Sequence, residues 1–289
     1  MTNTLIPPLE IRHDQIDPAV LDVIRKIDDI AGKLETKYFL AGATAREVIL
    51  RHVFGRPPGR RSLDIDFGIA VRDWDHFKTL KSALVDQARF TAHPRMIHRL
   101  IYNSTPDVIV DLIPFGGVEG TDRTISWPPE EDIVMRVAGF SDGLEAAVLV
   151  RLDATLVIPV VSIPVLLVLK LFAWVDRKYE RRDAADILTL LKEYGDAGNE
   201  DRLYGEELNV LEAEDYDVEL AGARLIGHDA ARVISEDTRK RARYILESDS
   251  QMEELTNQII VSSMRSDSEH VRRCELLVAK LREGFLQAP

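Results

Sequence analysis

The spacing of apolar residues changes along this chain, from a mixture of strand and helix periods to a helical period alone. Up to residue 162, short apolar or alternating runs such as 63–71 take turns with amphipathic stretches of helical spacing. After Pro164 the pattern is helical almost to the end. Alternating strands and helices fold into layered α/β structures, whereas helices alone pack on one another. The sequence therefore predicts an α/β (α+β) domain over 1–162, with a mixed sheet and covering helices, and a helical domain over 163–289.

Caps, turns and apolar periods also place individual elements. We expect helices over 17–34, 44–54, 74–88, 164–178 and 182–194, and strands over 38–42, 63–71, 96–102, 107–115, 147–152 and 155–161.

Composition excludes several classes of protein. The 289 residues are 45% apolar and 30% charged, which is typical of soluble globular chains long enough to bury a core. The single cysteine, Cys274, cannot form an internal disulfide and is typical of a reducing compartment. The start of the chain has no secretory signal, so we expect a cytoplasmic protein. The most apolar stretch, 158–175, contains prolines and a lysine, so no membrane partner is expected.

The net charge of −12 argues against a protein that coats nucleic acid without sequence preference. The first 120 residues are nevertheless balanced, with 16 basic and 16 acidic side chains. Arginines cluster there at 46–61 and again at 89–99. These clusters are compatible with a local basic face for an anionic substrate, and equally with a solvated mixed surface.

Two aspartates, Asp64 and Asp66, lie inside an otherwise apolar predicted strand. Strand side chains alternate, so both carboxylates project from one face and Ile65 and Phe67 from the other. Half-buried like charges are costly unless a cation neutralises them. Oxygen ligands without Cys or His nearby favour Mg²⁺ or Mn²⁺ over zinc. An exposed edge strand with a polar face is the alternative.

A third acid, Asp111, alternates with apolar residues in the predicted strand over 107–115. If that strand lies beside the first, three carboxylates converge, which is the minimum for holding two metals about 3.5–4 Å apart in phosphoryl or nucleotidyl transfer. Asp107, two residues earlier, is expected to be a surface acid at the strand end.

Three other features have both a functional and a structural interpretation. Gly42 and Thr44 lie where a predicted strand turns into a helix, which suits an approaching triphosphate but also an ordinary turn. Lys170 interrupts an apolar helix, so it must reach solvent or meet an anion, either an internal carboxylate or a nucleotide phosphate. Asp183 and Asp186 lie one turn apart at a helix start, where the helix dipole favours acids.

The order of these motifs resembles that of the AbiEii/AbiGii-type nucleotidyltransferases. This family belongs to the DNA polymerase β-like superfamily and includes toxins of bacterial toxin–antitoxin and abortive-infection systems. The resemblance covers roughly residues 36–195. The motifs that carry it are Gly42-Ala43-Thr44, Arg61-Ser62-Leu63-Asp64-Ile65-Asp66-Phe67, Asp111, Lys170-Leu171-Phe172-Ala173 and Arg182-Asp183-Ala184-Ala185-Asp186.

The resemblance implies a role for each motif. Asp64 and Asp66 would be metal ligands, and Asp111 would be the third carboxylate that helps to activate the attacking hydroxyl. The implied NTP-binding residues are Gly42, Thr44, Arg46 and Ser62. Lys170 would contact phosphate, and Asp183 or Asp186 would be a late catalytic acid.

The leading hypothesis is a Mg²⁺-dependent nucleotidyltransferase that transfers NMP from an NTP to an acceptor hydroxyl. The resemblance implies an RNA acceptor such as tRNA and a cognate antitoxin as partner. One alternative is transfer to a small hydroxylated compound, as in antibiotic-modifying enzymes. The other is a non-catalytic regulatory protein that keeps the fold and uses the acidic segment 200–220 as its contact surface.

Overall fold

The computed structural model describes residues 7–57, 59, 64–129, 133–263, 265 and 267–288. The chain divides into two compact units, one of Met1–Gly55 with Arg61–Ser162 and one of Arg56–Arg60 with Ile163–Pro289. All strands of the described residues lie in the first unit. The predicted mixed α/β fold is confirmed.

The first unit is built on an eight-stranded mixed sheet with the order β1-β9-β10-β2-β3-β6-β5-β4. A separate pair, β7 and β8, is antiparallel. The strands are β1 (Leu9–Glu10), β2 (Tyr38–Ala41), β3 (Asp64–Val71), β4 (Phe90–Ala92), β5 (Arg99–Tyr102), β6 (Val108–Gly116), β7 (Thr124–Ser126), β8 (Val134–Arg136), β9 (Val148–Arg151) and β10 (Val157–Val160). In the centre, β3 and β6 run parallel, while β2 is antiparallel to β3 and β5 is antiparallel to β6.

Helices accompany the sheet in the first unit and make up the second. Those of the first unit are α1 (Pro18–Lys33), α2 (Gly42–Glu47) continuing as a π-helix (Val48–Val53), α3 (Trp74–Gln87) and α4 (Phe140–Glu145). Those of the second unit are α5 (Ile163–Asp176), a 3₁₀ turn (Lys178–Glu180), α6 (Arg182–Glu193), α7 (Glu200–Leu203), α8 (Leu208–Glu212), α9 (Val218–Val233), α10 (Glu236–Glu247), α11 (Asp249–Ser262) and α12 (Ser268–Gln287). Within the first unit, α4 contacts β2, β3 and β6, and α3 contacts β3 and β4.

Local sequence signals explain where the helices begin. The Asp17 carboxylate accepts a hydrogen bond from the backbone N–H of Ala19 at 2.8 Å, and a proline occupies the first helical position of α1. At α3 the Asp73 carboxylate accepts from the N–H of His76 at 2.7 Å. Each cap satisfies one of the N–H groups that a helix start leaves without a partner in the helix.

Most predicted elements are confirmed to within a few residues at each end. The predicted strand over 96–102 is shorter, because Met96 accepts a backbone hydrogen bond from Arg99 at 3.1 Å and closes a turn there. Strand β4 was not expected from the sequence, and it pairs only with β5 at the sheet edge. The first residue of the predicted strand over 63–71, Leu63, lies outside the described residues.

The core of the first unit lies at the central strands. Phe67 and Ile69 of β3 and Leu112 and Val110 of β6 are fully buried. The core of the second unit includes the contact between α9 and α12. A side chain at Gly284 would lie only 1.9 Å from the carbonyl oxygen of Arg224, so the absence of a side chain lets these two helices approach closely.

Among the described residues, every helix is too short or too polar to cross a membrane.

Candidate active site

The register of β3 and β6 brings three carboxylates together. Asp66 lies directly opposite Asp111 across the parallel pair, and Asp64 is two residues earlier on the same strand. One carboxylate oxygen of each of the three lies within 4.8 Å of those of the other two. Asp111 is buried, and Asp64 and Asp66 are half-buried. We call this group the carboxylate cluster.

Asp107, by contrast, is exposed and precedes the first residue of β6. The prediction that it is a surface acid at the strand end is confirmed.

Arg99 holds the carboxylate cluster from the neighbouring strand. It lies directly opposite Asp111 in the antiparallel pair of β5 and β6. Its Nε donates to Asp111 Oδ1 at 2.7 Å, and its Nη2 donates to Asp111 Oδ2 at 2.6 Å. The same Nη2 lies 3.7 Å from Asp64 Oδ2. The hydrogen bond to Asp111 raises the pKa of Arg99, and the charges of the three aspartates outweigh the opposing effect of burial.

The sequence placed Arg99 in a cluster of arginines but gave it no role at the site. The signal for that role lies in the pairing of strands. Once β5 and β6 are aligned antiparallel, the alternation of polar and apolar residues in both strands puts Arg99 beside Asp111.

Gly42 lies against the carboxylate cluster at the start of α2. Its φ of +64° is in the left-handed region that favours glycine. A Cβ at this position would lie 1.9 Å from Asp66 Oδ2, closer than any side chain can approach. Thr44, one residue beyond Ala43, donates its hydroxyl to the backbone oxygen of Asp64 at 3.3 Å. Both residues of the predicted triphosphate turn therefore contact the acidic strand.

The other two predicted NTP-binding residues are less informative. Arg46 lies on α2 and is only 2% exposed. Ser62 lies outside the described residues.

Two of the arginines clustered at 46–61, Arg51 and Arg56, form ion pairs within the protein. Arg51 pairs with Asp14 and Glu47, each at 2.9 Å. In the second unit, Arg56 pairs with Glu193 at 2.6 Å and with Asp196 at 2.7 Å. Arg60 and Arg61 lie outside the described residues. The contacts of Arg51 and Arg56 favour the mixed surface over the basic face, the two alternatives that the sequence left open.

Lys170 is buried in the second unit between two carboxylates. Its Nζ lies 3.1 Å from Asp183 Oδ1 and 2.6 Å from Asp186 Oδ2. The guanidinium of Arg177 also donates to both oxygens of Asp183, at 2.7 and 3.1 Å. The sequence left two possible partners for Lys170, an internal carboxylate and a nucleotide phosphate. The contacts in the structure are with internal carboxylates, and they link α5 to α6.

Asp183 and Asp186 are themselves almost inaccessible, at 2% and 0% exposed. Burial pushes the pKa of Asp183 upward, but the hydrogen bond from Arg177 and the charges of Lys170 and Arg177 outweigh it. The pKa of Asp183 is therefore held below its ordinary value, and the group carries a negative charge at neutral pH.

Part of the acidic segment 200–220 is engaged in ion pairs with neighbouring helices. Glu214 is buried and pairs with Arg224 at 2.9 Å and with Lys280 at 3.1 Å. Arg273 on α12 binds Asp217 at 2.6 Å and Glu219 at 2.8 Å. These three acids link helices of the second unit, whereas the other acids of the segment are mostly exposed.

The carboxylate cluster fits a divalent metal ion by the chemistry of its donors. Three carboxylates on two adjacent strands offer hard oxygen atoms, the ligands that Mg²⁺ and Mn²⁺ prefer. Each carboxylate oxygen of Asp111 accepts one hydrogen bond from Arg99 and has a further lone pair. Among the described residues, Arg99 supplies one positive charge to this group of three carboxylates.

Comparison with known proteins identifies the family. The profile of the family described as "Nucleotidyl transferase AbiEii toxin, Type IV TA system" matches residues 28–260. This match extends beyond residues 36–195, which the resemblance in sequence covers. No curated protein matches the chain.

The solved structures that are similar to this chain include two proteins, both at low identity. The first is the solution structure of the antibiotic-resistance factor ANT(2'')-Ia, at 13% identity, with 75% of this chain and 96% of that chain covered and a TM-score of 0.36. The second is the CCA-adding enzyme of Thermotoga maritima complexed with tRNA, at 12% identity, 95% and 82% coverage and a TM-score of 0.27. The family match alone spans most of the chain, and this protein belongs to the AbiEii family of nucleotidyltransferase toxins.

Proposed function

We propose that this nucleotidyltransferase transfers NMP from an NTP to a hydroxyl group of RNA such as tRNA, with Mg²⁺ or Mn²⁺ held by Asp64, Asp66 and Asp111. One observation carries the proposal: the three carboxylates, which the sequence places on two separate strands, lie within 4.8 Å of one another. In the family context such a cluster suits nucleotidyl transfer.

The proposed reaction is a single displacement at phosphorus. The oxygen of the acceptor hydroxyl bonds to the α-phosphorus of the NTP, the bond to the bridging oxygen breaks, and pyrophosphate leaves. Asp111 is the proposed acceptor of the hydroxyl proton. A divalent metal, when bound, supplies positive charge that neutralises the phosphate oxygens.

We propose that the triphosphate binds beside the first turn of α2. Gly42 lies against Asp66, so phosphates bound at this turn would be neighbours of the carboxylates. Thr44 and Arg46 belong to the same helix. For Lys170, the contacts with Asp183 and Asp186 support a role in joining α5 to α6. A direct catalytic role of Asp183 or Asp186 stays a prediction from the family resemblance.

The family description supports two further parts of the proposal. A toxin of a toxin–antitoxin system has a cognate antitoxin, so we propose such a partner for this chain. Its substrates, nucleoside triphosphates and RNA, occur in the cytoplasm, which is the proposed location. We also propose that residues 1–162 form the nucleotidyltransferase domain and residues 163–289 a helical domain.

Incubation with each of four labelled NTPs, Mg²⁺ and total RNA tests the proposal. We expect label in RNA with the wild-type protein, and loss of that label with Asp64→Asn and with Asp66→Asn, because each change removes a charged ligand from the cluster. Equal transfer by these variants and by wild type would contradict the proposal.

Parallel incubation with aminoglycosides in place of RNA separates the acceptor classes. Label in the aminoglycoside and none in RNA would favour a small-molecule nucleotidyltransferase. Absence of NTP and Mg²⁺ binding in calorimetry would instead favour a regulatory protein without catalytic activity.

A further inference from the structure

Arg99 lies in one row with two of the carboxylates across three strands. Asp111 on β6 is opposite Asp66 on one side and opposite Arg99 on the other. Facing residues on adjacent strands are about 5 Å apart, so their side chains on the same face interact directly. The cluster therefore has a positive charge built into the sheet beside its negative ones.

The position of one atom is decisive. Arg99 Nη2 lies 2.6 Å from Asp111 Oδ2 and 3.7 Å from Asp64 Oδ2, so a single nitrogen links two of the three carboxylates. Oxygen ligands of Mg²⁺ lie about 2.1 Å from the ion. A divalent ion bound to either of these oxygens would therefore lie close to the positive charge of Arg99.

Burial strengthens the effect of this contact. The side chain of Asp111 is 10% exposed and that of Arg99 is 21% exposed, so water screens their charges incompletely. The guanidinium makes two hydrogen bonds to Asp111, a geometry that only arginine provides among the basic residues.

We propose that Arg99 is a resident counter-cation of the carboxylate cluster, and that its charge competes with a divalent metal for Asp64 and Asp111. Arg99 is thus a positioning residue that holds the cluster together without metal and raises the metal concentration needed to fill it. The inference rests on the metal site of the proposed function.

Calorimetric titration with Mn²⁺ tests this directly. Arg99→Gln removes the charge but keeps a polar side chain, and we expect it to bind Mn²⁺ about tenfold more tightly than wild type, because a positive charge next to the ion is gone. Arg99→Lys retains a positive charge and should bind Mn²⁺ less tightly than Arg99→Gln. Arg95→Gln is the matched control, because Arg95 is exposed in the segment between β4 and β5. The affinity of this variant for Mn²⁺ should equal that of wild type.

Thermal unfolding gives a second readout that needs no catalytic activity. Without metal, Arg99→Gln should unfold at a temperature several degrees below wild type, because buried Asp111 has lost the two hydrogen bonds and the charge of the guanidinium. Saturating Mn²⁺ should then raise the unfolding temperature of Arg99→Gln by more than that of wild type. Arg95→Gln should follow wild type in both conditions.

The outcomes separate this inference from the proposed function. If wild type binds Mn²⁺, Asp64→Asn does not, and Arg99→Gln binds no more tightly than wild type, then the role of Arg99 is wrong while the metal site stands. If neither wild type nor Arg99→Gln binds Mn²⁺, the metal site itself is wrong, and both proposals fall. Binding by Arg99→Gln in the absence of measurable binding by wild type supports the inference.

Discussion

At the scale of single residues, the contact between Gly42 and Asp66 shapes the candidate site. The glycine has a left-handed backbone conformation and a carboxylate oxygen where a side chain would begin. A triphosphate turn and an ordinary strand-to-helix turn are both compatible with the sequence here. The structure adds a reason for glycine that neither interpretation contained, namely the space that Asp66 needs.

Replacement of Gly42 by alanine should damage both stability and the site. The left-handed backbone alone costs roughly 1 kcal/mol for a residue with a side chain, and the new methyl group would displace the Asp66 carboxylate. We expect Gly42→Ala to unfold at a lower denaturant concentration and to lose most of its transfer of labelled nucleotide.

Gly32→Ala is the matched control for that experiment. Gly32 lies inside α1, and nothing is within 4 Å of the position of its missing Cβ. Alanine stabilises the interior of a helix by about 1 kcal/mol relative to glycine. The variant should therefore be slightly more stable than wild type and equally active. If both glycine variants behaved alike, the argument from the Asp66 contact would be contradicted.

At the scale of elements, strand pairing decides how far the sequence could predict the site. The alternation of residues put Asp64 and Asp66 on one face of their strand, and the same rule marked Asp111. Their meeting depended on the condition that β3 and β6 are neighbours. No local pattern gives that order, because β4 and β5 intervene in the chain but lie on the far side of β6. For the same reason, the position of Arg99 beside Asp111 could not be predicted from the sequence.

The ion pairs of Lys170 with Asp183 and Asp186 join α5 to α6, so we expect Lys170 to contribute to the stability of the fold. Replacement of Lys170 by methionine leaves Asp183 and Asp186 buried without their ammonium partner, and breaking a buried ion pair in this way costs about 3–5 kcal/mol. We expect a correspondingly large decrease in the free energy of unfolding, measured with denaturant. Lys240→Met is the control, because Lys240 is 73% exposed and its pair with Glu236 should contribute less than about 1 kcal/mol. A small effect of both changes would contradict this role.

Acid should weaken the same network. Because the pKa of Asp183 is lower in the folded protein than its ordinary value, its contribution to stability is complete above the unfolded pKa of about 3.9 and disappears as the pH falls through the folded value. The stability difference between wild type and Asp183→Asn should therefore be largest at neutral pH and should shrink below about pH 4. Denaturant midpoints at a series of pH values measure this, and a difference that stays constant down to pH 3 would contradict it.

At the scale of the whole molecule, the family match and the charge distribution support one account. The match covers residues 28–260 and so includes parts of both compact units. The surplus of acids in residues 121–289 is partly absorbed by ion pairs among the helices, as at Glu214 and Arg273. The net charge of the chain is therefore a poorer guide to its function than the local charge of the carboxylate cluster.

The most direct test of this account is the rate of Mg²⁺-dependent nucleotide transfer by Asp111→Asn, relative to that of Asp107→Asn. Asp111 lies in β6 and Asp107 directly precedes that strand, but only Asp111 lies in the carboxylate cluster. The account predicts a rate for Asp111→Asn that is at least about 100-fold below wild type and a rate for Asp107→Asn equal to wild type. Equal rates for the two variants would contradict it.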